Sequence, residues 1–340
     1  MLRFSSRRTA GLLLTFALLT AGGCRVEVGG QPAGSTSTAT SGDGGAGAMG
    51  GGGGDGGSGA TGPVVTEPLK VLNWNTQNFF DDQKNSNASA EIVVSTTNYR
   101  AQRAAVGAVL RQLDPDVAVL QEVENLRILR ELNEDELGGA YPHHALIPSN
   151  DIRGINIGTL SKVPIDRTVS HKDDMFTKVG TNGPNYRFAR DAVEVHITHA
   201  GRHVVLLGVH FISKASQSNE DKREAEAQRA RAIADEIAAA DPTAAIAVLG
   251  DYNDLPESPT VRAVEGSGSG AFENIGMLVP SADRWTYNYQ GTLEKVDHQI
   301  VNPILRGMLQ PDSPRILHSG EVDDASDHAP VMATYTVSAP

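Results

Sequence analysis

Short apolar runs that end in polar residues recur along the chain, and each has the length of a β-strand. The run 245–250 is continuously apolar up to its final glycine, as expected for a strand buried on both faces. A tight turn at Ala200 and Gly201 predicts a hairpin between 192–197 and 203–210. The predicted strands are 69–75, 117–120, 155–160, 192–197, 203–210, 245–250, 285–289, 295–301 and 331–337.

Helical spacing is found in 98–113 and 219–240, and an Asp-Pro pair directly after each segment predicts its end. Asn98 is the predicted N-cap of the first helix, whose apolar residues share one face: Ala105, Val106, Val109, Leu110 and Leu113. A shorter polar helix is expected from about Asn125. Hairpins of strands with a few helices predict an α/β fold, a four-layer sandwich of two packed, mixed and mainly antiparallel sheets flanked by helices.

The first 63 residues have a different pattern. Arg3, Arg7 and Arg8 precede the apolar run 11–19, and small residues follow at 21–23. This order is typical of a secretory signal, and the apolar run is too short to span a bilayer as a mature helix. We therefore interpret residues 1–24 as a signal peptide.

Cys24 is the only cysteine, so the chain can form no intramolecular disulfide. Its position resembles the lipobox of bacterial lipoproteins, in which the cysteine thiol is acylated after cleavage. Ala21 stands where leucine is usual, which leaves type I cleavage and release as an alternative; a buried free cysteine is a third reading. The Gly/Ser-rich residues 25–63 predict a flexible tether, and 64–340 predict one folded domain.

These segments predict an exported protein, either held at the cell envelope by a lipid on Cys24 or secreted. The lipid anchor would be its only membrane contact. Nothing in the sequence implies a protein partner, and we expect a monomer. The 29 Lys and Arg against 41 Asp and Glu give a formal net charge of −12, so a polyanion would not be gripped by bulk charge. If the substrate is a phosphodiester, local cations or a bound metal must offset the repulsion.

Polar residues with acid, base or metal-binding chemistry follow the predicted strands. Taken singly, each has an ordinary alternative, such as a solvated strand end, an Asx turn or a hydrogen-bonded core histidine. Asp251 and Asn253 are one residue apart and would point the same way in extended chain. Aligned by the sheets, the set would form one acidic cleft with two imidazoles: Asn75, Glu122, His210, Asp251, Asn253, Asp297, Asp327 and His328.

That set suits the hydrolysis of a phosphate ester. Carboxylate and amide oxygens are the ligands that Mg²⁺ or Mn²⁺ prefers, whereas one cysteine gives no Zn²⁺ cluster. A bound metal would draw charge from the phosphoryl oxygens and stabilise the leaving oxygen. A carboxylate can orient or deprotonate water, and an imidazole ordered by a carboxylate can stay protonated toward the phosphate.

The chain resembles the endonuclease/exonuclease/phosphatase superfamily, with its pancreatic-type deoxyribonuclease and AP-endonuclease fold. The segments that carry the resemblance occur in the family's order and cover nearly the whole chain after the tether: 72–75, 120–123, 153–164, 188–191, 208–214, 250–253, 296–298 and 326–330. Gln77 stands where some AP endonucleases have a metal-binding aspartate, which weakens any expectation of apurinic-site specificity.

The resemblance implies a role for each strand-end residue. Glu122 would be a principal metal ligand, with Asn75 and Asp327 nearby. The implied catalytic residues are Asp251 and Asn253 at the attacking water, His210 and His328 beside the scissile phosphate, and Asp297 as the carboxylate that orients one imidazole. Arg190 matches a position near the substrate phosphate, and the alternative is a surface ion pair with Asp191.

The predicted function is an exported, metal-dependent phosphodiesterase that cleaves nucleic acid. A phospholipid or inositol-phosphate phosphoesterase and a non-catalytic binding module remain alternatives. The aromatic residues at 285–287 are expected in the core or cleft wall, with base stacking as an alternative. We expect solvated residues along the helix after His210, including Arg223, Glu226 and Arg229. Ordinary surface or loop positions are predicted for His143, His144, His171, His196, His199, His203 and His318.

Overall fold

The computed structural model describes residues 65–85 and 89–340. The predicted signal peptide with Cys24 and the whole predicted tether, 25–63, lie outside these residues. In the part of the chain that is described, no helix combines the length and the apolarity needed to cross a membrane.

Strands and helices occupy most of this region. The strands are β1 (Thr66–Phe79), β2 (Val117–Val123), β3 (His143–Leu146), β4 (Asn156–Ser161), β5 (Ile165–Ser170), β6 (Ala192–His199), β7 (Arg202–His210), β8 (Ala245–Asp251), β9 (Glu273–Asn274), β10 (Tyr287–Tyr289), β11 (Thr292–Glu294), β12 (Asp297–Val301), β13 (Arg315–Ile316) and β14 (Val331–Ser338). The α-helices are α1 (Thr96–Leu113), α2 (Leu126–Glu131), α3 (Glu220–Ala240), α4 (Pro259–Glu265), α5 (Pro303–Gly307) and α6 (Gly320–Ala325).

The strands form two six-stranded sheets and a separate hairpin. The first sheet has the order β13-β14-β1-β2-β4-β3, and the second has the order β5-β6-β7-β8-β12-β9. Each sheet contains one parallel pair at its centre, β1 with β2 and β7 with β8, and its other pairs are antiparallel. Strands β10 and β11 pair only with each other as a ladder.

Three apolar cores separate the layers. Between the sheets, Val71 and Val119 of the first pack with Val195, Leu206 and Ala247 of the second. The outer face of the first sheet packs against α1, α2 and α6, and that of the second packs against α3 and α4. Because successive side chains of a central strand enter different cores, β2, β7 and β8 are apolar over most of their length. The predicted four-layer sandwich is confirmed.

Several local predictions need correction. The N-cap of α1 is Ser95, whose side chain accepts a hydrogen bond from the Asn98 backbone N–H, so Asn98 lies inside the first turn. Residues 95–98 are all capping types, and sequence pattern alone could not choose among them. Strands β3, β5, β9, β11 and β13 were not predicted, and β12 begins at Asp297 rather than at Lys295.

Candidate active site

Sheet topology brings the predicted site residues to one edge of the sandwich. The carboxyl ends of the parallel strands β1, β2, β7 and β8 lie at this edge, and the antiparallel strands β12 and β14 begin there. Asp297 at the start of β12 pairs directly with Asp251 at the end of β8. A cleft of about 560 Å³ opens at this edge, and its lining includes Glu122, Arg190, His210, Asp251, Asn253, Asp327 and His328.

Unusual backbone conformations concentrate around this cleft. Four of its lining residues have positive φ: Gln77 (51°), Asn78 (50°), Glu122 (66°) and Asn253 (53°). At Glu122 the pairing of β2 with β4 shifts register, and such a bulge re-aims a side chain. Strain of this kind persists where the surrounding structure enforces it, commonly at functional sites.

Gly250 lets β7 and β8 approach closely just before Asp251. Its φ is +141°, and a Cβ placed there would lie 2.0 Å from the carbonyl oxygen of Val209. No other residue fits this position without moving the backbone, because the backbone of β7 lies so close to Gly250.

Asn75 connects two carboxylates at the floor of the cleft. Its side-chain nitrogen donates to Oε1 of Glu122 at 3.2 Å and to Oδ2 of Asp251 at 3.0 Å. Its oxygen accepts the Gln77 backbone N–H at 3.0 Å, and Oε2 of Glu122 accepts that of Asn78 at 2.7 Å. Asn75 therefore fixes the spacing of the two carboxylates, and its predicted role as a metal ligand stays a prediction.

Two hydrogen bonds hold His328, one from its ring to a carboxylate and one from an indole to its backbone. Its Nδ1 donates to Oδ2 of Asp297 at 2.8 Å, and its carbonyl oxygen accepts the Trp74 indole N–H at 2.8 Å. Burial opposes the protonated imidazole, but the charge of and hydrogen bond to Asp297 outweigh it and raise the pKa of His328 to about 10. Of the two imidazoles that Asp297 was expected to orient, the structure therefore selects His328, and it favours an imidazolium.

The second imidazole has the opposite electrostatic character. Burial, followed by the nearby charges of Arg190 and His328, lowers the pKa of His210 well below its usual value, which favours the neutral ring. Its Nε2 lies 3.4 Å from Oδ2 of Asp251. Burial and then the Asp297 charge raise the pKa of the Asp251 carboxyl. Titratable groups whose environments push their pKa values apart are typical of acid–base sites.

Arg190 lies on the cleft wall and is buried. It donates from Nη1 to the carbonyl oxygen of Phe211 at 3.1 Å, and its Nε lies 3.5 Å from Oδ2 of Asp151. Asp191 instead accepts hydrogen bonds from Ser170 and the His171 backbone. The alternative of a surface ion pair between Arg190 and Asp191 is wrong, because both residues are buried and their side chains bind different partners.

The donor set of the cleft fits a hard divalent cation. Glu122 and Asp327 line it with side chains 15% and 41% exposed, so both can contact a hydrated ion. Burial raises the pKa of Asp327, and the Glu122 charge raises it further, a repulsion that a cation would relieve. Among the described residues, one group of three has ligand atoms within 4.8 Å of one another: Asp251, Asp297 and His328. His328 is hydrogen-bonded to Asp297 and favours the imidazolium, which offers no lone pair at either nitrogen, so this group is poorly suited to a metal in that state. The metal-ligand roles of Glu122 and Asp327 stay a prediction.

A buried glutamate ties two walls of the cleft together, although its helix was expected to be solvated there. Glu226 on α3 accepts the backbone N–H of Ala189 at 2.7 Å and that of Ile212 at 2.7 Å. Burial raises the pKa of Glu226 to about 7. Arg223 is also buried and donates to Oδ2 of Asp254 at 2.8 Å. The prediction of a solvated face is therefore wrong for these two residues.

Three of the histidines expected at ordinary surface positions form a connected chain instead. His171 contacts Asp174 and Glu194 at 3.0 and 2.7 Å, and Glu194 also binds His196. Nδ1 of His196 lies 2.9 Å from Nε2 of His203. His196 and His203 lie on β6 and β7, His171 follows β5, and none of the three lines the cleft. The strand period of two places Glu194 and His196 on the outer face of the second sheet.

Tyr287 of the hairpin of β10 and β11 lies in the cleft wall, one of the two places expected for the aromatic residues at 285–287, and the hairpin adds Tyr289 and Glu294, which were not assigned from the sequence. Tyr287, Tyr289 and Glu294 line the cleft, as does Lys214, which forms an ion pair with Glu294 at 2.6 Å. Alternate aromatic residues before the turn at Gly291 were the available signal for a hairpin with one aromatic face.

Comparisons with known proteins agree on the fold. Residues 71–320 match the model of the Endonuclease/Exonuclease/phosphatase family. The human nocturnin catalytic domain with bound sulfate is similar at 13% identity and a TM-score of 0.57, covering 81% of this chain and 96% of that one. D. rerio TDP2 complexed with a single-strand DNA product has 15% identity and a TM-score of 0.54, covering 79% and 99%. An endonuclease/exonuclease/phosphatase from Bacteroides vulgatus has 14% identity and a TM-score of 0.53, covering 79% and 98%. No curated protein matches the chain.

Proposed function

The chain belongs to the endonuclease/exonuclease/phosphatase family, whose members hydrolyse phosphoric esters, and from that premise we propose that it is an exported, Mg²⁺- or Mn²⁺-dependent phosphodiesterase that cleaves nucleic acid. The observation that carries the proposal is the convergence of Glu122, His210, Asp251, Asp327 and His328 on one cleft.

The residues of the chain divide the work around a phosphodiester. Asp251 is the group that accepts a proton from the attacking water, with Asn253 beside it donating its backbone N–H to Oδ1 of Asp251 at 2.8 Å. His328, oriented by Asp297, presents Nε2 to the phosphate, where an imidazolium stabilises developing negative charge. Arg190 and the neutral His210 occupy the adjoining wall and contact the phosphoryl oxygens.

A divalent ion bound by Glu122 and Asp327 would supply Lewis-acid stabilisation of the phosphoryl and leaving oxygens. The residues fit this role through their hard oxygen donors and their mutual repulsion. Asn75 holds Glu122 and Asp251 at fixed spacing, so that water activation and metal binding stay aligned.

The polarity of the hairpin turn at the cleft rim favours nucleic acid over phospholipid as the substrate. Its exposed hairpin ends in a polar turn at Gln290 and Gly291, whereas a membrane-inserting hairpin would have an apolar tip. The similar fold of a protein complexed with single-strand DNA product supports the same choice. Export rests on the signal-like residues 1–24, and a lipid anchor rests on Cys24.

A substrate panel tests this proposal. The purified protein should cleave DNA or RNA in the presence of Mg²⁺, and a chelator should stop the reaction. Sphingomyelin and phosphoinositides, assayed under the same conditions, should be hydrolysed far more slowly. Efficient lipid hydrolysis without cleavage of either nucleic acid would establish the phosphoesterase alternative, and binding without turnover of any substrate would establish the binding module.

A further inference from the structure

The cleft wall next to His328 is aromatic. Tyr287 packs its ring 4.7 Å from the imidazole of His328, and Tyr289 follows with its ring 6.2 Å from that of Tyr287 and nearly parallel to it, at 28°. Tyr289 is 52% exposed and lines the cleft, so one face of its ring is accessible to a bound molecule.

Hairpin pairing separates a cleft face from a back face. Tyr287 pairs with Glu294 and Tyr289 pairs with Thr292, so these residues share the face toward the cleft. Asn288 pairs with Leu293, which is 53% exposed and is not among the cleft residues. The aromatic surface therefore points into the cleft rather than outward.

The hairpin is anchored at its base and at its second strand. The Thr286 hydroxyl accepts the backbone N–H of Val296 and that of Asp297, both at 3.0 Å. The carbonyl oxygen of Thr286 accepts the Ala329 N–H at 2.7 Å, next to His328. The ion pair of Lys214 with Glu294 joins the hairpin to the loop on the other side of the cleft. These contacts fix the position of Tyr289 relative to Asp297 and His328.

We propose that Tyr289, supported by Tyr287, is a stacking subsite for the nucleobase adjacent to the scissile phosphodiester. This inference rests on the proposed function and deepens it. A chain with a net charge of −12 and an acidic cleft gains little from bulk attraction to a polyanion, so it needs a contribution that does not depend on charge. Base–aromatic stacking supplies about 1–3 kcal/mol per base and tolerates any sequence.

The subsite predicts a substrate that carries an aromatic ring on the nucleotide next to the scissile phosphate. It would therefore favour single-stranded or frayed nucleic acid, whose bases are free to stack, over a regular duplex. The head groups of common phospholipids and the saturated ring of inositol phosphate offer no aromatic ring that could stack on the face of Tyr289.

The test uses the purified full chain and short single-stranded oligonucleotides with Mg²⁺. One substrate carries normal bases, and two others carry a base-less tetrahydrofuran unit on one side or the other of the cleavage position. The variants are Tyr289→Ala, Tyr289→Phe and, as the matched control on the back face of the same hairpin, Leu293→Ala. Circular dichroism verifies that each variant is folded.

On the normal substrate, Tyr289→Ala should lower kcat/KM by about 5- to 150-fold, the range that one stacked base accounts for. Tyr289→Phe keeps the ring and should stay within about threefold of the wild type, and Leu293→Ala should be unchanged. On the substrate that lacks the stacked base, the kcat/KM of the wild type should already be lower by this factor. Tyr289→Ala should lower kcat/KM on that substrate no further.

Three outcomes would overturn the inference. Equal loss in Tyr289→Ala on normal and base-less substrates would show a structural effect rather than stacking. Unchanged oligonucleotide kinetics, together with loss of binding to phosphatidylcholine–sphingomyelin vesicles in Tyr289→Ala, would make the hairpin a lipid contact. Failure of the wild type to cleave any oligonucleotide would overturn the proposed function as well, which separates it from the first two results.

Discussion

His328 donates a hydrogen bond from Nδ1 to Oδ2 of Asp297 across 2.8 Å, although 31 residues separate the two in the chain. The indole of Trp74 holds the backbone of His328 from the other side. This arrangement fixes the orientation of the imidazolium and leaves Nε2 directed to the cleft. The proposed catalytic set therefore depends on contacts between β1, β12 and the segment before β14, and not on one local motif.

The first prediction concerns this pair. Asp297→Asn keeps the size of the side chain but removes the charge that stabilises the imidazolium. We expect kcat to fall by about 10²- to 10⁴-fold with little change in KM, because the interaction stabilises the transition state. Steady-state kinetics on an oligonucleotide substrate with Mg²⁺ measure both constants.

The matched control is Asp283→Asn, an exposed aspartate outside the cleft, which should leave both constants unchanged. A loss in Asp297→Asn that appears only as a raised KM would place Asp297 in substrate binding and argue against the proposed role.

The second prediction concerns the buried clamp on α3. Glu226→Ala removes the acceptor of two backbone N–H groups, those of Ala189 and Ile212, which flank Arg190 and His210. Each unsatisfied buried N–H costs about 1–3 kcal/mol, so the free energy of unfolding should fall by about 2–6 kcal/mol. Glu226→Gln retains one acceptor and should recover part of both stability and kcat. The exposed Glu236→Gln on the same helix is the control, and equal effects of 226 and 236 in urea unfolding would refute the clamp.

The third prediction is a pH dependence of stability from the histidine chain. Burial raises the pKa of Glu194, but the hydrogen bonds from His171 and His196 dominate and lower it from 4.5 to about 2. A depressed carboxyl pKa stabilises the fold above pH 4.5, by on the order of 3 kcal/mol, and this contribution is lost as the pH falls toward 2. Burial lowers the pKa of His171, but its two carboxylate partners raise it above 6.5, so its contribution is lost as the pH rises through that higher value.

Glu194→Gln should therefore lower Tm most between about pH 4.5 and 6.5, and the difference from the wild type should shrink on both sides of that window. The exposed Glu257→Gln is the control. A difference in Tm that is constant from pH 3 to pH 9 would show that the charge of Glu194 does not stabilise the chain of histidines.

The fourth prediction concerns the metal. Calorimetric titration with Mn²⁺ in the absence of substrate should detect binding to the wild type, and Glu122→Gln should weaken it by at least about tenfold, the effect of altering even an outer partner of a metal ligand. Asp327→Asn should weaken it similarly, whereas the exposed Glu134→Gln should not. Unaltered affinity in Glu122→Gln, with loss in Asp297→Asn, would move the metal to Asp251, Asp297 and His328.

The strand ends were predictable because apolar runs terminate in polar residues of matching chemistry. His210 and Asp251 each follow a continuous apolar segment, Glu122 follows one after an intervening glutamine, and Asn75 ends an alternating one. The parallel central strands bring these ends to one edge. The family resemblance added Asp297 as the carboxylate that orients one imidazole, and the structure shows that this imidazole is His328. The same apolar patterns predicted both sheets and the layers around them.

The remaining features depend on burial, which a local pattern does not show. Glu226 is one of many charged residues on α3, and only the approach of the segments at 189 and 212 makes it a buried acceptor. His171, Glu194, His196 and His203 come together from two strands, β6 and β7, and the loop after β5, so no single short spacing marks all four. Short strands such as β3 and β9 form because a neighbouring strand offers an edge, and not from their own propensity.

The most direct measurement is cleavage of a single-stranded oligonucleotide by the wild type and Asp251→Asn across a Mg²⁺ titration. We expect a chelator to abolish wild-type cleavage and Mg²⁺ to restore it. Asp251→Asn should be folded by circular dichroism and at least about 100-fold slower at saturating Mg²⁺, because the group that accepts the proton from water is lost. Wild-type cleavage that persists in the chelator, or a rate in Asp251→Asn close to that of the wild type, would contradict a metal-assisted hydrolase centred on Asp251.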